Sequence, residues 1–456
     1  MIDTSVALSA EWWAQRLHKK LVLDRPTFET LDSYLRSENS IPVPSTKSIT
    51  QSYQRLMRMA GTNYAELTVE AVRERMEPTA FLTGAEGDGL GDREAWRIWQ
   101  ANSLDADWAL TARASLGLGM GYMIVGPTDR EIGAPLITPE DPRQVTVEVD
   151  PARRRRVRAA LKVWYDDVAG VDRINLYLPG FIHKLARDHR QDESEDISDY
   201  SWDGPPMATG IDRVPVVSFP NRPDTYGRTA GEFEHHLSVL DRINFTVLER
   251  VEVATLQAYR QRAVKGVPSQ DADGNEINYD DLFSNDPGAM WHLPATGEIW
   301  ESEMGDLGPL RSAARDDVET FALVSRTPIY YLTPDAANGS AEGASLKRES
   351  LVFKTLDRIT ETSESLEQVM SLAFEFAGDT TRARRGDMEV LWKSPENFSL
   401  AEKYDAASKA QAAGVPWRSV MTDILQFSET QVARMEAERS AELLLQGLLD
   451  VETETV

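Results

Sequence analysis

The stretch from Pro309 to Gly378 limits this chain's fold more than any other part of it. Pro309 suits the first position of a helix, where its missing N–H costs nothing. Leu310, Ala313, Ala314, Val318, Phe321 and Ala322 then recur at helical spacing. Thr327-Pro328 ends that helix, because a residue before proline is pushed out of the α region. Ile329–Gly339 carries the turn formers Pro334, Asp335, Asn338 and Gly339, and Ser340 is placed to cap a second helix. From Ala341 to about Ala377 there is no proline, and Leu346, Phe353, Leu356, Ile359, Leu366, Met370 and Ala373 keep a three- and four-residue rhythm. Such a helix spans roughly 55 Å, too long for the core of an ordinary compact domain.

The rest of the chain leads into this stretch or leans on it. Leu8–Ser37 reads as helical, with Trp12, Trp13, Leu17, Leu21, Leu31 and Leu35 on an apolar face interrupted at Pro26. Asn39–Ser48 reads as a linker, and Tyr53–Glu77 and Asp92–Leu118 as two further helical regions. From Gly119 the texture changes to short β-rich runs: Tyr122–Val125, Gln144–Val149, Val157–Tyr165, Ile174–Leu178, Phe181–Leu185 and Val214–Phe219. Asp150-Pro151-Ala152-Arg153 is a hairpin turn, and the polar segment Asp188–Gly210 reads as a mobile loop. Gly231–Val264 returns to helix, with Phe233, Leu237, Leu240, Ile243, Val247, Val251 and Ala254 on one stripe. Behind the long helix, Met388–Trp392 reads as a strand. Ser399-Leu400-Ala401-Glu402 and Ser428-Glu429-Thr430-Gln431 are capping boxes that open helices, with a short helix over Pro416–Leu425 between them.

Charge and composition narrow the function. The 456 residues carry 49 basic and 74 acidic side chains, a net charge of −25, which disfavours duplex binding through a basic face. With no cysteine there is no disulfide framework and no thiolate site. Neither a secretory signal nor a bilayer-length apolar run is visible, so the expectation is a soluble intracellular protein.

Catalytic signatures are lacking. No G-x-x-x-x-G-K-[ST] phosphate cradle occurs, and Gly117-Leu118-Gly119-Met120-Gly121 precedes its strand, so it reads as tight packing at a helix–strand corner. Asp271-Ala272-Asp273-Gly274-Asn275 starts like a calcium loop, but Glu276 and Leu282 stand where the glycine and the bidentate Glu belong; a hairpin turn suits it better. The six histidines make no metal spacing. Arg153–Arg156 is the one dense basic run. Solvated turn arginines are the default reading, with a nucleic-acid contact or an ion pair to an acidic neighbouring subunit as alternatives. The segment Gly266–Gly308 holds ten carboxylates and no Lys or Arg.

The string Val324-Ser325-Arg326-Thr327-Pro328-Ile329-Tyr330-Tyr331-Leu332 and the residues after it, Thr333 to Gly343, resemble the portal proteins of long-tailed bacteriophages. Glu148-Val149-Asp150-Pro151 leading into Val157–Trp164, Asp241-Arg242-Ile243-Asn244 and Gly414-Val415-Pro416-Trp417 are similar to that family too. The resemblance implies an α+β, mainly helical portal fold in seven parts. A wing of helices and mixed β structure covers 1–230, a stem helix 231–265, a small α/β clip 266–308, and a second stem helix 309–328. A tunnel loop then covers 329–343, a long kinked helix 344–378, and a helical crown with its tail 379–456.

That family's plan implies a ring, a dodecamer, at one capsid vertex in the virion, assembled in the host cytoplasm. Double-stranded DNA would pass through its channel without sequence-specific binding. Terminase would dock on the clip during packaging, and head-completion or adaptor proteins afterwards, with major capsid and scaffold proteins as further partners. No cofactor, metal, catalytic residue or membrane is implied. Tyr330, Tyr331, Asp335, Asn338, Ser340 and Glu342 would face the channel, and Asp280, Asp281, Asp286, Trp291, His292 and Trp300 would belong to the clip. The rival readings are an acidic cytosolic enzyme of unknown chemistry and another head–tail connector component.

Overall fold

In a computed structural model, residues 4–39, 51–85, 91–190, 194–258, 262–265, 270, 298–301, 305–332, 341–396, 400–427 and 431–442 are described. The chain opens with α1 (Ala10–Leu35), whose Ser9 hydroxyl accepts the Trp12 N–H at the N-terminus. Pro26 does not interrupt this helix, contrary to the expectation from sequence. Leu17 and Leu21 before it and Leu31 and Leu35 after it are all buried, and that burial outweighs the lost backbone bond.

The expected helix over Tyr53–Glu77 is two helices, α2 (Gln51–Ala60) and α3 (Tyr64–Arg73), followed by a strand that sequence reasoning missed, β1 (Pro78–Leu82). The expected helix over Asp92–Leu118 is also two, α4 (Arg93–Ala101) and α5 (Leu104–Leu118). The break falls at Ser103, which adopts a left-handed φ of 55°. Next to it, the Asn102 amide donates to Ile98 O and Pro135 O and its oxygen accepts the Ile137 N–H. A side chain that serves three backbone groups takes over where the helix would have continued.

The β region comes next: β2 (Met120–Asp129), β3 (Ala134–Glu140), β4 (Val145–Asp150), β5 (Arg153–Asp166), β6 (Val171–Leu178), β7 (Phe181–Asp188), β8 (Ser201–Trp202), β9 (Met207–Ala208) and β10 (Val216–Pro220). After it come a 3₁₀ turn at Glu234–His236, α6 (Leu237–Ala258), β11 (Arg262–Lys265), β12 (Glu298–Glu301), α7 (Gly308–Val324), α8 (Ile329–Leu332) and α9 (Ala341–Phe376). The chain ends with β13 (Glu389–Trp392), α10 (Leu400–Ala412), α11 (Trp417–Ser419) running into a π-turn at Val420–Ile424, and α12 (431–442).

Two compact units divide these elements. The first comprises Met1–Asn39, Asn63–Ser238 and Phe321–Val456. It holds an antiparallel sheet in the order β4-β5-β6-β7-β8, with β9 also paired to β7, a three-stranded sheet β10-β2-β3, and the pair β1-β13. Side chains alternate across β5: Ala159 and Leu161 pack with Trp13, Leu17 and Leu21 of α1, while Ala160 packs with Tyr122, Val145 and Val216. The described part of Asp188–Gly210 is largely irregular, as its polarity suggested, but it is anchored to the fold. Ile197 and Tyr200 are buried in the core under α1, and β8 and β9 lie within the segment.

The second unit comprises Ser40–Thr62 and Val239–Thr320. Ala60 and Leu248 form its small core with Leu56, Met57, Phe245 and Val247, and the Asn244 oxygen accepts both the N–H and the hydroxyl of Thr62. β11 and β12 pair antiparallel in it, Arg262 opposite Glu301 and Lys265 opposite Glu298.

Candidate functional site

The first unit positions its longest helix with a buried charge cluster, built from a glycine corner. α5 ends at Gly119, whose φ of 83° is open to glycine without strain. Gly231 passes so close that a Cβ there would stand 2.4 Å from Gly117 O. This approach lets the Glu232 N–H donate to Leu116 O at 2.8 Å and fixes the glutamate side chain. The glycines of Gly117-Leu118-Gly119 therefore serve packing at the helix–strand corner.

Glu232 is only 2% exposed, and its two carboxylate oxygens are used on α9. Lys354 Nζ lies 2.8 Å from one and Arg358 Nε 2.6 Å from the other; the cations are 3% and 13% exposed. Asn221 Nδ2 donates to the same oxygen as Arg358, and also to Ala230 O. Burial by itself would raise the Glu232 carboxyl, but Lys354 and Arg358 outweigh it and hold the group down to about 2. Burial pulls the Lys354 ammonium below its ordinary value and Glu232 pulls it back. Its setting, between the Glu232 carboxylate and Ser325 O, favours the ammonium form.

The second oxygen that Lys354 meets is Ser325 O, 2.9 Å away, at the end of α7. That end closes with Thr327 N–H bonded to Ala322 O and Arg326 N–H to Leu323 O, and Arg326 takes a left-handed φ of 54°. Pro328 comes next, so Thr327-Pro328 stops the helix as its chemistry dictates. The cluster thus joins the α5 corner, the end of α7 and the middle of α9. All its charges are paired within it, so it holds structure and offers no acid, base or nucleophile.

Beyond Pro328 the chain does not enter an open turn at once, since Ile329–Leu332 forms the helical turn α8. Tyr330 and Tyr331 are half-buried with ring centroids 5.0 Å apart, and the Arg75 guanidinium lies 5.4 Å from the centre of the Tyr331 ring. Asp335, Asn338 and Ser340 lie outside the described residues, as does the side chain of Glu342, whose backbone belongs to α9. Asp280, Asp281, Asp286, Trp291, His292 and the Asp271–Asn275 turn also lie outside them, and Trp300 is placed only by its backbone, opposite Ala263.

Of the arginine run, Arg153, Arg154 and Arg156 are exposed. Arg155 is half-buried and 2.9 Å from Glu361 of α9. Sequence reasoning missed Glu232, Lys354, Arg358 and Asn221. Their one signal is a pair of basic residues four apart within a long helix, off the apolar rhythm read there; Phe353 and Leu356 of that rhythm are exposed while Lys354 is buried. Among the described residues no group of His, Asp or Glu is placed to hold a metal ion.

The buried cluster thus fixes the long helix α9 against the rest of the first unit. The chain belongs to the phage portal protein family, SPP1 Gp6-like, which matches residues 15–443. It is 26% identical over 408 residues to the portal protein of Mycobacterium phage D29, covering 85% of this chain and 81% of that one. It is 25% identical over 388 residues to the portal protein of Mycobacterium phage L5, covering 81% and 76%. Among solved structures, a chain in the neck of an empty GTA particle computed with C6 symmetry is similar at TM-score 0.43 and 13% identity, over 86% of this chain and 97% of that one. A chain in the virion of a native gene transfer agent particle is similar at TM-score 0.41 and 13% identity, over 87% and 98%.

Proposed function

We propose that this portal-family chain is a non-catalytic ring subunit at the capsid vertex, through whose channel double-stranded DNA enters the head and later leaves. The carrying observation is apolar surface left bare on the helices of the charge cluster. Leu323 at the end of α7 is 80% exposed, and Phe353 on α9 is 61% exposed. Side chains of this size on rigid, well-anchored helices call for cover, and neighbouring copies provide it.

DNA would be guided by repulsion. A subunit with a net charge of −25 presents phosphates with a like-charged wall, so the duplex slides and stays centred. The segment 266–308, with ten carboxylates, is the dock for terminase during packaging and for head-completion proteins afterwards. Asp280, Asp281 and Asp286 would set the salt dependence of that docking, with Trp291, His292 and Trp300 anchoring the segment against the next subunit. The residues between α8 and α9, with Asp335, Asn338 and Ser340, are assigned to the narrowest part of the channel. Deleting Asp335–Gly339 tests the conduit: rings should still form, while packaged DNA length or retention falls. Unchanged packaging and retention would remove that segment from the DNA path.

A further inference from the structure

Arginines converge from three separate segments on one cavity of about 490 Å³ in the first unit. Arg153–Arg156 come from the start of β5, Arg213 from the approach to β10, and Arg385 from the segment before β13; Asp212 is the one carboxylate in the lining. The run at β5 is aimed by a break in register. Val149 pairs with Val157 and the next residue, Asp150, with Arg153, so Arg154, Arg155 and Arg156 have no partner in that ladder. Such bulges redirect side chains away from the sheet.

Carboxylates of α9 neutralise only the inner wall. Arg155 meets Glu361 and Glu364, Arg385 meets Glu364, and Arg213 lies 3.2 Å from Glu375 and 3.0 Å from the Ser371 hydroxyl. On the outer wall, Arg154 donates to Thr225 O, and the nearby Asp150 is paired with Arg158, 3.0 Å away. Among the described residues, the guanidiniums of Arg153, Arg154 and Arg156 therefore reach the cavity with no carboxylate in hydrogen-bond contact.

From this arrangement we infer that the cavity is a binding site for phosphate oxyanions. The guanidinium fork matches the paired oxygens of a phosphate, and several forks aimed at one concave site bind it far better than one exposed arginine. The concavity admits a small phosphate, or a phosphate group presented at the rim by a nucleic-acid backbone. The site lies within one unit of one subunit, so occupancy requires no ring and stands apart from the channel reading.

Calorimetric titration of the purified full-length protein in chloride buffer tests it, with inorganic phosphate, pyrophosphate and a short DNA duplex as three separate probes. The test variant is Arg154→Ala with Arg156→Ala. The control is Arg315→Ala with Arg434→Ala, which removes the same charge from exposed helix pairs elsewhere. Phosphate or pyrophosphate should bind, and the test variant should bind about tenfold or more weakly while the control keeps its affinity. If the duplex binds too, is displaced by pyrophosphate and is lost in the test variant, the phosphates come from a nucleic-acid backbone. If the duplex does not bind, the ligand is a small phosphate. Absence of binding by all three probes, or equal loss in test and control variants, overturns the assignment. So does a test variant that binds no less but no longer assembles, which would make the arginines a contact for an acidic segment of another copy.

Discussion

At the scale of single residues, Glu232 is where the first unit is most exposed to a wrong substitution. Removing one member of a buried ion cluster strands the others, so Glu232→Gln should cost about 3–5 kcal/mol, read by denaturant unfolding. Replacing Glu232 and Lys354 together by Gln and Met should cost less than the sum of the single changes, because the Lys354 ammonium is then no longer stranded and only Arg358 still faces the lost carboxylate. Glu232 also sets an acid limit. Its carboxyl is depressed from 4.5 to about 2, so the stability it contributes is present above 4.5 and is lost as pH falls toward 2.

Glu367 on α9 behaves in the opposite sense. Burial first, and then Glu364 and Glu389, raise it to about 7, so its penalty is absent below 4.5 and grows as pH rises through 7. Glu367→Gln should therefore raise the thermal midpoint at pH 8 and leave it nearly unchanged at pH 4.5. The gain is about 1 kcal/mol once solvent screening of this half-exposed group is allowed for. No sequence pattern marks these two glutamates, since their environment is assembled from segments far apart in the chain.

At the scale of elements, legibility tracks locality. The 36-residue α9 and the β4–β5 hairpin carry their periodicity and turn residues within their own stretches, and both are readable there. β1 is not, because its five residues are a strand only by virtue of β13, with Phe81 opposite Val390. Ile197 and Tyr200 are hidden among acidic and serine residues, too far apart to show a period, and α1 covers them all the same. Pro26 misleads for a related reason: its local cost is real, and tertiary burial on both sides overrides it. Replacing Pro26 by Ala restores a helix donor without touching the buried leucines. It should stabilise the protein by about 1 kcal/mol or more, seen as a higher urea midpoint at unchanged slope.

For the whole molecule, the family resemblance is legible in the stretch around Thr327-Pro328, and the family match over 15–443 agrees with it. The buried cluster that anchors the same stretch is not legible, since Glu232 stands about a hundred residues ahead of it. Leu323→Asp combined with Phe353→Asp should leave unfolding of the separated subunit within about 0.5 kcal/mol of wild type, because both side chains are already exposed, while weakening assembly severely. Unimpaired assembly in that variant would place the subunit contacts elsewhere.

Native mass spectrometry of the purified wild-type chain in near-physiological buffer, alone and then with capsid or scaffold protein, tests ring formation most directly. A closed ring, of twelve copies by the portal plan, is the expected species in at least one of the two conditions. Nothing larger than a dimer in either would contradict it.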